Sequence, residues 1–186
     1  MTNIISLIVS SDFLYSENIE VLDRTLNITA NLIQAAGPLS KKHLHGLFKI
    51  LLQLGSLPNM TAYKEKVDKT LHELAVNCGY EDASDLFSVE LAALLADMKE
   101  SYEKWDKNTP ERYIFDILVK RASTAVVDYW EDILFIIAAN VENDKDYEIR
   151  MDMLALVEHL LQSENLHSTI PYYSEIILKM ILLPST

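Results

Sequence analysis

Apolar residues recur every three or four positions through most of the chain, and the pattern is clearest between residues 127 and 162. The apolar positions in and beside the first half of this stretch are Val126, Trp130, Ile133, Leu134, Ile137 and Val141. Those of the second half are Ile149, Met153, Leu156, Val157, Leu160 and Leu161. This spacing lines one side of a helix with 3.6 residues per turn. We therefore predict a helical hairpin, two amphipathic helices joined by a short acidic turn.

Each helix of this hairpin carries an apolar stripe that is too wide for its partner to cover alone. Both helices therefore need each other and further helices on either side. The same periodicity supplies them, because it predicts nine helices in the whole chain. Besides the hairpin at 127–162, they cover about 2–14, 16–36, 39–54, 60–78, 84–105, 110–122 and 171–183.

Breaker and capping residues set the predicted helix ends. Gly37 and the proline after it end the second helix, since glycine takes the left-handed conformation and proline cannot continue the hydrogen-bond ladder. Gly79 ends the fourth helix in the same way. Thr109 and Pro110 begin the sixth helix, as a hydroxyl cap followed by proline at the first helical position. We expect the fifth helix, 84–105, to be the longest.

The predicted helices follow one another after short polar breaks of at most about six residues, which leaves no room for a linker between domains. Their spacing suggests helix pairs of about 35 to 45 residues, the range of HEAT and armadillo repeats. We therefore predict an all-α fold, an α-solenoid of antiparallel helix pairs in which residues 1–186 form a single segment. A non-repetitive helical bundle has the same rhythm and is the alternative.

The amino-acid composition agrees with a helical protein and limits the classes of partner that the chain is expected to bind. The chain is 49% apolar and has only 4 Gly and 5 Pro, a balance that favours helix over strand. The net charge of -12 disfavours binding to nucleic acid and to anionic membranes. Cys78 is the single cysteine, and we expect it to be a buried thiol. Apolar runs are too short to span a bilayer, and a cytoplasmic location is predicted.

No motif for catalysis is found. The glycines stand alone, so a phosphate-binding loop is excluded, and no histidine has a second histidine one helical turn away. We predict no catalytic, cofactor or metal site, and we expect a protein that is not an enzyme. A helical bundle with buried carboxylates would hide its chemistry from a motif search and is the enzyme alternative.

Four acidic residues lie at the turn of the hairpin and just after it: Glu142, Asp144, Asp146 and Glu148. The glycine and the terminal glutamate of a calcium-binding loop are absent. The simplest interpretation is turn and helix-start chemistry, because acidic side chains are stabilised near a helix N-terminus. The functional alternative is an acidic rim that binds a basic partner protein.

Two further residues allow both a structural and a functional interpretation. Arg150 follows Asp146 by one helical turn, which predicts an exposed ion pair. Trp130 lies on the apolar stripe, so core packing is favoured over an exposed peptide anchor.

Several motifs in the C-terminal half occur together in one family. Ile149 and Arg150 open a helix, and the next helix begins Pro171-x-Tyr173-x-Glu175 and ends in Ile-Leu-x-Pro. Upstream, Trp105 precedes the helix start Thr109-Pro110-Glu111. In these features the chain resembles the HEAT-repeat dynein axonemal assembly factors. The resemblance is most specific over residues 105–184.

The resemblance implies a fragment of a longer HEAT solenoid. Its structural repeat positions would be Trp130, Asp146, Arg150, Pro171 and Tyr173, with Arg150 in an Asp–Arg ladder between repeats. The family's role is non-enzymatic and cytoplasmic: it helps axonemal dynein chains to fold and assemble. Partners would include other dynein assembly factors and chaperones of the Hsp90 and Hsp70 types. A HEAT adaptor for kinase-complex assembly or nuclear transport is the alternative.

The substitution Leu156→Ala tests whether the stripe of the hairpin is buried. We expect it to lower the free energy of unfolding by ~2 to 5 kcal/mol, because packing is lost and a cavity is left. Urea denaturation followed by circular dichroism measures this change. A value near zero would show that the stripe faces solvent.

Overall fold

The computed structural model describes residue 8 and residues 18–56, 61–141, 146–164 and 170–182. Within these residues every regular element is helical and no strand occurs, so the all-α prediction is confirmed. We number the α-helices α1 (Ile19–Ala36), α2 (Leu44–Gly55), α3 (Thr61–Cys78), α4 (Ala83–Lys99), α5 (Pro110–Arg121), α6 (Trp130–Val141), α7 (Tyr147–Gln162) and α8 (Ile170–Ile181). Shorter 3₁₀ segments cover Gly37–His43, Tyr102–Lys104 and Ser123–Tyr129.

The described α-helices are fewer than the nine predicted. The predicted helix 2–14 falls outside the described residues, apart from Ile8, a buried helical residue. The predicted stops at glycine are confirmed, since Gly37 has φ +49° and Gly79 has φ +86°. Both angles lie in the region that glycine adopts without the steric cost that a Cβ brings.

Two predicted helices begin later than expected. The segment predicted as 39–54 starts as the 3₁₀ turn Gly37–His43 and becomes α-helical only at Leu44. The buried Ser40 hydroxyl donates to the Ile33 carbonyl over 3.4 Å and so holds this turn against the end of α1. The first hairpin helix likewise begins with a 3₁₀ segment, and its α-helical part starts at Trp130.

The fifth predicted helix, 84–105, was wrong in length. α4 ends at Lys99 and has 17 residues, fewer than the 18 of α1 and of α3. Trp105 is still buried, but a turn with extended backbone carries it there. Its indole packs on the Phe115 ring at 5.7 Å between centroids, and its Nε1 donates to Ser101 Oγ over 3.3 Å. An unbroken apolar stripe in sequence thus spans a helix and the turn after it.

The start of α5 is at Pro110 as predicted, but the cap chemistry differs. The Thr109 hydroxyl makes no hydrogen bond to the first turn of α5. It donates instead to Asp106 Oδ1 over 2.9 Å and accepts from the backbone N–H of Asp106 over 2.9 Å. The threonine therefore stabilises the turn that precedes the helix.

The chain divides into two compact units, Met1–Glu90 and Leu91–Thr186. The core of the first unit centres on α2, in which Leu47, Phe48, Ile50, Leu51 and Leu54 have no exposed surface. The Phe48 ring meets Phe87 edge-on at 5.0 Å. The prediction that residues 1–186 form one continuous segment stays a prediction, as does the solenoid.

Polar side chains join α1 to α3 within the first unit. The Tyr63 hydroxyl donates to the Leu22 carbonyl over 3.2 Å, and Asn77 Nδ2 donates to the Ile33 carbonyl over 3.0 Å. Burial, aided by the negative charge of Asp23, raises the pKa of Tyr63. These bonds fix both ends of α1 on α3.

The second unit contains the predicted hairpin, and its apolar stripes are buried as expected except at Leu161, which is half-buried. Ile133, Ile136 and Ile137 of α6 and Leu156 of α7 have no exposed surface. α6 packs on α7, and both helices also contact α8. α7 contacts α5 as well, so each hairpin helix is covered by more than its partner.

The substitution Tyr63→Phe tests the bond between α3 and α1. We expect a loss of about 1 kcal/mol in the free energy of unfolding, because the Leu22 carbonyl loses its side-chain donor in a buried position. Urea denaturation at neutral pH measures it. The matched control is Tyr80→Phe, at a half-exposed tyrosine, for which a change under about 0.5 kcal/mol is expected. Equal changes in the two variants would contradict the assignment.

Candidate functional site

The acidic residues proposed for partner binding have separate surroundings. Glu142 and Asp144 lie outside the described residues. The Asp146 side chain caps α7 by accepting from the backbone N–H of Glu148 over 2.9 Å, as the structural interpretation predicted. Glu148 Oε2 lies 4.0 Å from Nη2 of Arg112 on α5. Glu148 therefore belongs to a cluster that links α7 to α5.

Arg112 is the centre of this cluster. Its side chain is only 3% exposed, although it lies in the first turn of α5. The guanidinium lies over the Tyr113 ring at 4.3 Å from the centroid, and its Nη2 donates to the Tyr113 hydroxyl. Nη1 lies 3.2 Å from Asp152 Oδ2, without the alignment of a hydrogen bond. Nε is buried and has no hydrogen-bond partner.

Asp152 of α7 is a carboxyl group of this cluster whose pKa is shifted by its surroundings. Burial raises the pKa of this carboxyl, and the positive charge of Arg112 partly opposes the rise. The negative charges of Asp116 and Glu148 raise the pKa further. Asp116 is itself paired with Lys120, at 2.7 Å. Glu148 and Asp152 thus approach different nitrogens of one buried cation, and Asp116 has its own partner.

This arrangement performs a structural task and leaves acidic groups at the surface. An arginine is charged at all ordinary pH values, so Arg112 keeps its positive charge in this contact between α5 and α7. The side chains of Glu148 and Asp152 are 66% and 46% exposed, respectively. Their oxygens keep acceptor capacity towards solvent, because a carboxylate has about four acceptor positions. The cluster therefore offers hydrogen-bond acceptors to a basic partner.

Sequence reasoning missed Arg112. The residues that it contacts on α7 lie far away along the chain, and no local spacing relates them. The one available signal was a charged residue in the first turn of α5 on the side of the buried Phe115.

The predicted structural residues occupy different environments. Trp130 lies in the core, and its ring meets Tyr173 at 6.1 Å between centroids. Tyr173 is half-buried, and Pro171, in the first turn of α8, is exposed. The predicted Asp146–Arg150 ion pair is wrong, because the Asp146 carboxylate caps α7 and Arg150 Nε is buried without a hydrogen-bond partner. That these residues are repeat positions stays a prediction.

Two further reactive side chains, Cys78 and His45, lie in the first unit. Cys78 ends α3 and is buried, and burial raises the pKa of its thiol, so the prediction that this thiol is buried is confirmed. His45 Nδ1 lies 2.8 Å from Glu90 Oε2. Among the described residues, no group of three His, Cys, Asp or Glu side chains could hold a metal ion. No helix in the described ranges is long and apolar enough to cross a membrane.

Comparison with known proteins gives one distant similarity. Over 143 residues, 75% of its length, the chain is 23% identical to human Dynein axonemal assembly factor 5. The chain spans only 17% of the length of that protein. No protein-family model matches the chain, and no solved structure matches it. The predicted resemblance to a dynein axonemal assembly factor is therefore supported, while the HEAT repeat is matched by no family model.

The pKa of Asp152 tests the geometry of the cluster. We expect Arg112→Met to raise this pKa further, because the cation that opposes the effect of burial is removed. Carboxyl NMR titration measures the value. Asp82, whose pKa is lowered by hydrogen bonds from Ser84, is the internal control and should not change. An unchanged Asp152 in the variant would contradict the contact.

The raised pKa of Asp152 also makes the free energy of unfolding depend on pH in acid. The folded state holds the Asp152 proton to a higher pH than the unfolded chain does. Protonation of Asp152 therefore adds to the free energy of unfolding below the ordinary aspartate pKa of about 3.9. This contribution is lost as the pH rises through the higher pKa of the folded state.

Proposed function

We propose that this chain is a non-enzymatic helical scaffold that binds proteins during the cytoplasmic preassembly of axonemal dynein arms. The observation that carries this proposal is the similarity to human Dynein axonemal assembly factor 5 over 75% of the chain. The name of that protein states a role in assembly, and we extend this role to the present chain. Because the chain spans 17% of that protein, the proposal concerns one segment of a larger activity.

Helix packing within each unit supports a scaffold of stacked helix pairs. In the first unit α1 contacts α3, and in the second unit α5 contacts α7 and α6 contacts α8. Contacts between helices two places apart along the chain are those that stacked pairs of a solenoid make. They fit a HEAT-like arrangement, and a compact helical bundle makes such contacts as well.

The chemistry of the cluster supports a binding role in place of a catalytic one. Arg112 and Asp152 form an ion pair that joins two helices, and the exposed carboxylates of Glu148 and Asp152 keep acceptor positions for a basic partner. The partners that we propose are dynein heavy and intermediate chains, other dynein assembly factors, and chaperones of the Hsp90 and Hsp70 types. A net charge of -12 favours partners with basic surfaces and opposes nucleic acid and anionic lipid.

Affinity capture tests this function. A tagged form of the chain is incubated with extract of ciliated cells, and the retained proteins are identified by mass spectrometry. We expect axonemal dynein subunits or dynein assembly factors among them. Recovery of nuclear transport factors or kinase complexes, without any dynein subunit or assembly factor, would contradict the proposal and favour an adaptor of another pathway.

An unfolded variant controls for chaperones that bind any exposed core. Leu51→Asp combined with Leu156→Asp places a charge in the core of each unit, where neither wild-type side chain has exposed surface. Dynein subunits should be lost with this variant. If the variant captures more Hsp70 than the wild-type chain does, that Hsp70 binds unfolded protein. Only chaperones that the folded wild-type chain retains support the proposal.

A further inference from the structure

α7 exposes two large apolar side chains opposite its buried stripe. Tyr147 is 71% exposed and Met151 is 46% exposed, and they lie one helical turn apart. Ala155, a further turn along, is also exposed. We call these three residues the α7 strip. Tyrosine is enriched among the residues that dominate binding energy at protein interfaces, and the flexible methionine adapts to different partners.

Carboxylates lie beside the strip. Glu148 and Asp152 run along the side of α7 that faces α5, and the exposed Glu158 lies near the C-terminal end of the strip. α7 has no lysine, and its single arginine, Arg150, has its Nε buried. Two cations of α5 face this flank: Arg112 is buried beneath it, 3.2 Å from Asp152, and Lys120 is paired with Asp116. The strip is therefore apolar with an acidic border.

We propose that the α7 strip and its acidic flank bind a basic amphipathic helix of a partner protein. The spacing of Tyr147 and Met151 follows the rise of one helical turn, which matches apolar residues at i and i+4 of a helix laid along it. Lysine or arginine on the border of that helix then reaches Glu148 and Asp152. The inference rests on the proposed protein-binding function and adds the chemistry of the partner.

Charge argues against other occupants of the strip. A second copy of the chain would bring another net charge of -12 and the same carboxylates against this flank. An anionic membrane is repelled for the same reason. A basic helix removes the repulsion and uses both features of the surface, the apolar strip and its acidic border.

Three synthetic peptides of about 16 residues test the partner chemistry, a length at which a designed helix forms upon binding. The first has a leucine stripe flanked by lysines. The second replaces each lysine with glutamate, and the third keeps the composition of the first but scrambles the stripe. Fluorescence anisotropy with the whole chain measures binding. We expect the lysine peptide to bind at least about tenfold more tightly than either control, and more weakly at high salt.

Variants of the chain locate the binding surface. Tyr147→Ser combined with Met151→Ser should weaken binding of the lysine peptide about tenfold, since both apolar anchors are removed. Glu148→Gln should weaken it less and reduce its salt dependence. The matched control is Val76→Ser combined with Glu65→Gln, at exposed positions on α3 of the other unit, which should leave binding unchanged. Circular dichroism confirms that each variant is folded.

Two results would overturn the inference. One is equal binding of the lysine and glutamate peptides, and the other is binding by the Tyr147, Met151 double variant within about twofold of wild type. Sedimentation equilibrium tests whether a second copy of the chain occupies the strip. A dimer that is present in the wild type and absent in the double variant would make the strip an interface between copies and would also overturn the inference.

The two proposals fail independently. If the double variant still retains dynein subunits in the capture experiment, the strip is not the binding surface, and the proposed function stands. If the strip binds the lysine peptide but no dynein subunit or assembly factor is captured, the surface stands and the proposed function fails.

Discussion

The width of the apolar stripes on α6 and α7 is the constraint on which the second unit depends. On α6 the buried side chains include Trp130, Ile133, Leu134, Ile136 and Ile137, which cover about half of its circumference. One neighbouring helix cannot cover that much surface. α6 therefore packs on α7, on α8 and on the 3₁₀ turn that contains Tyr102. The stripes thus require several helices to fold together.

Periodicity made much of this predictable. Signals from a few neighbouring residues can be recognised in sequence. They predicted the hairpin, the helix ends at Gly37 and Gly79, and the Asp146 cap. Periodicity could not show where α4 ends. Trp105 continues the apolar pattern of that helix, yet it reaches the core from a turn that Ser101 and Phe115 hold in place. Tertiary packing places that side chain and overrides the helical pattern.

The polar parts of the candidate site were harder to foresee. Local spacing suggested an ion pair between Asp146 and Arg150, but the Asp146 carboxylate accepts a hydrogen bond from the backbone N–H of Glu148 at the start of α7. The ion pair that forms joins Arg112 to Asp152, on two helices whose proximity only the fold determines. The exposure of Tyr147 was also hidden, because a pattern of apolar residues does not show which of them remain uncovered. Candidate binding groups are therefore best identified once the packing is known.

The account implies that the hairpin cannot fold without its neighbours, and the isolated segment 127–162 tests this most directly. Circular dichroism of the peptide at low concentration, with sedimentation to establish its mass, measures how much helix it forms alone. We predict little helix while the peptide is monomeric, with helix appearing only as it associates through its apolar stripes. A monomeric peptide that is as helical as the same residues in the whole chain would contradict the account.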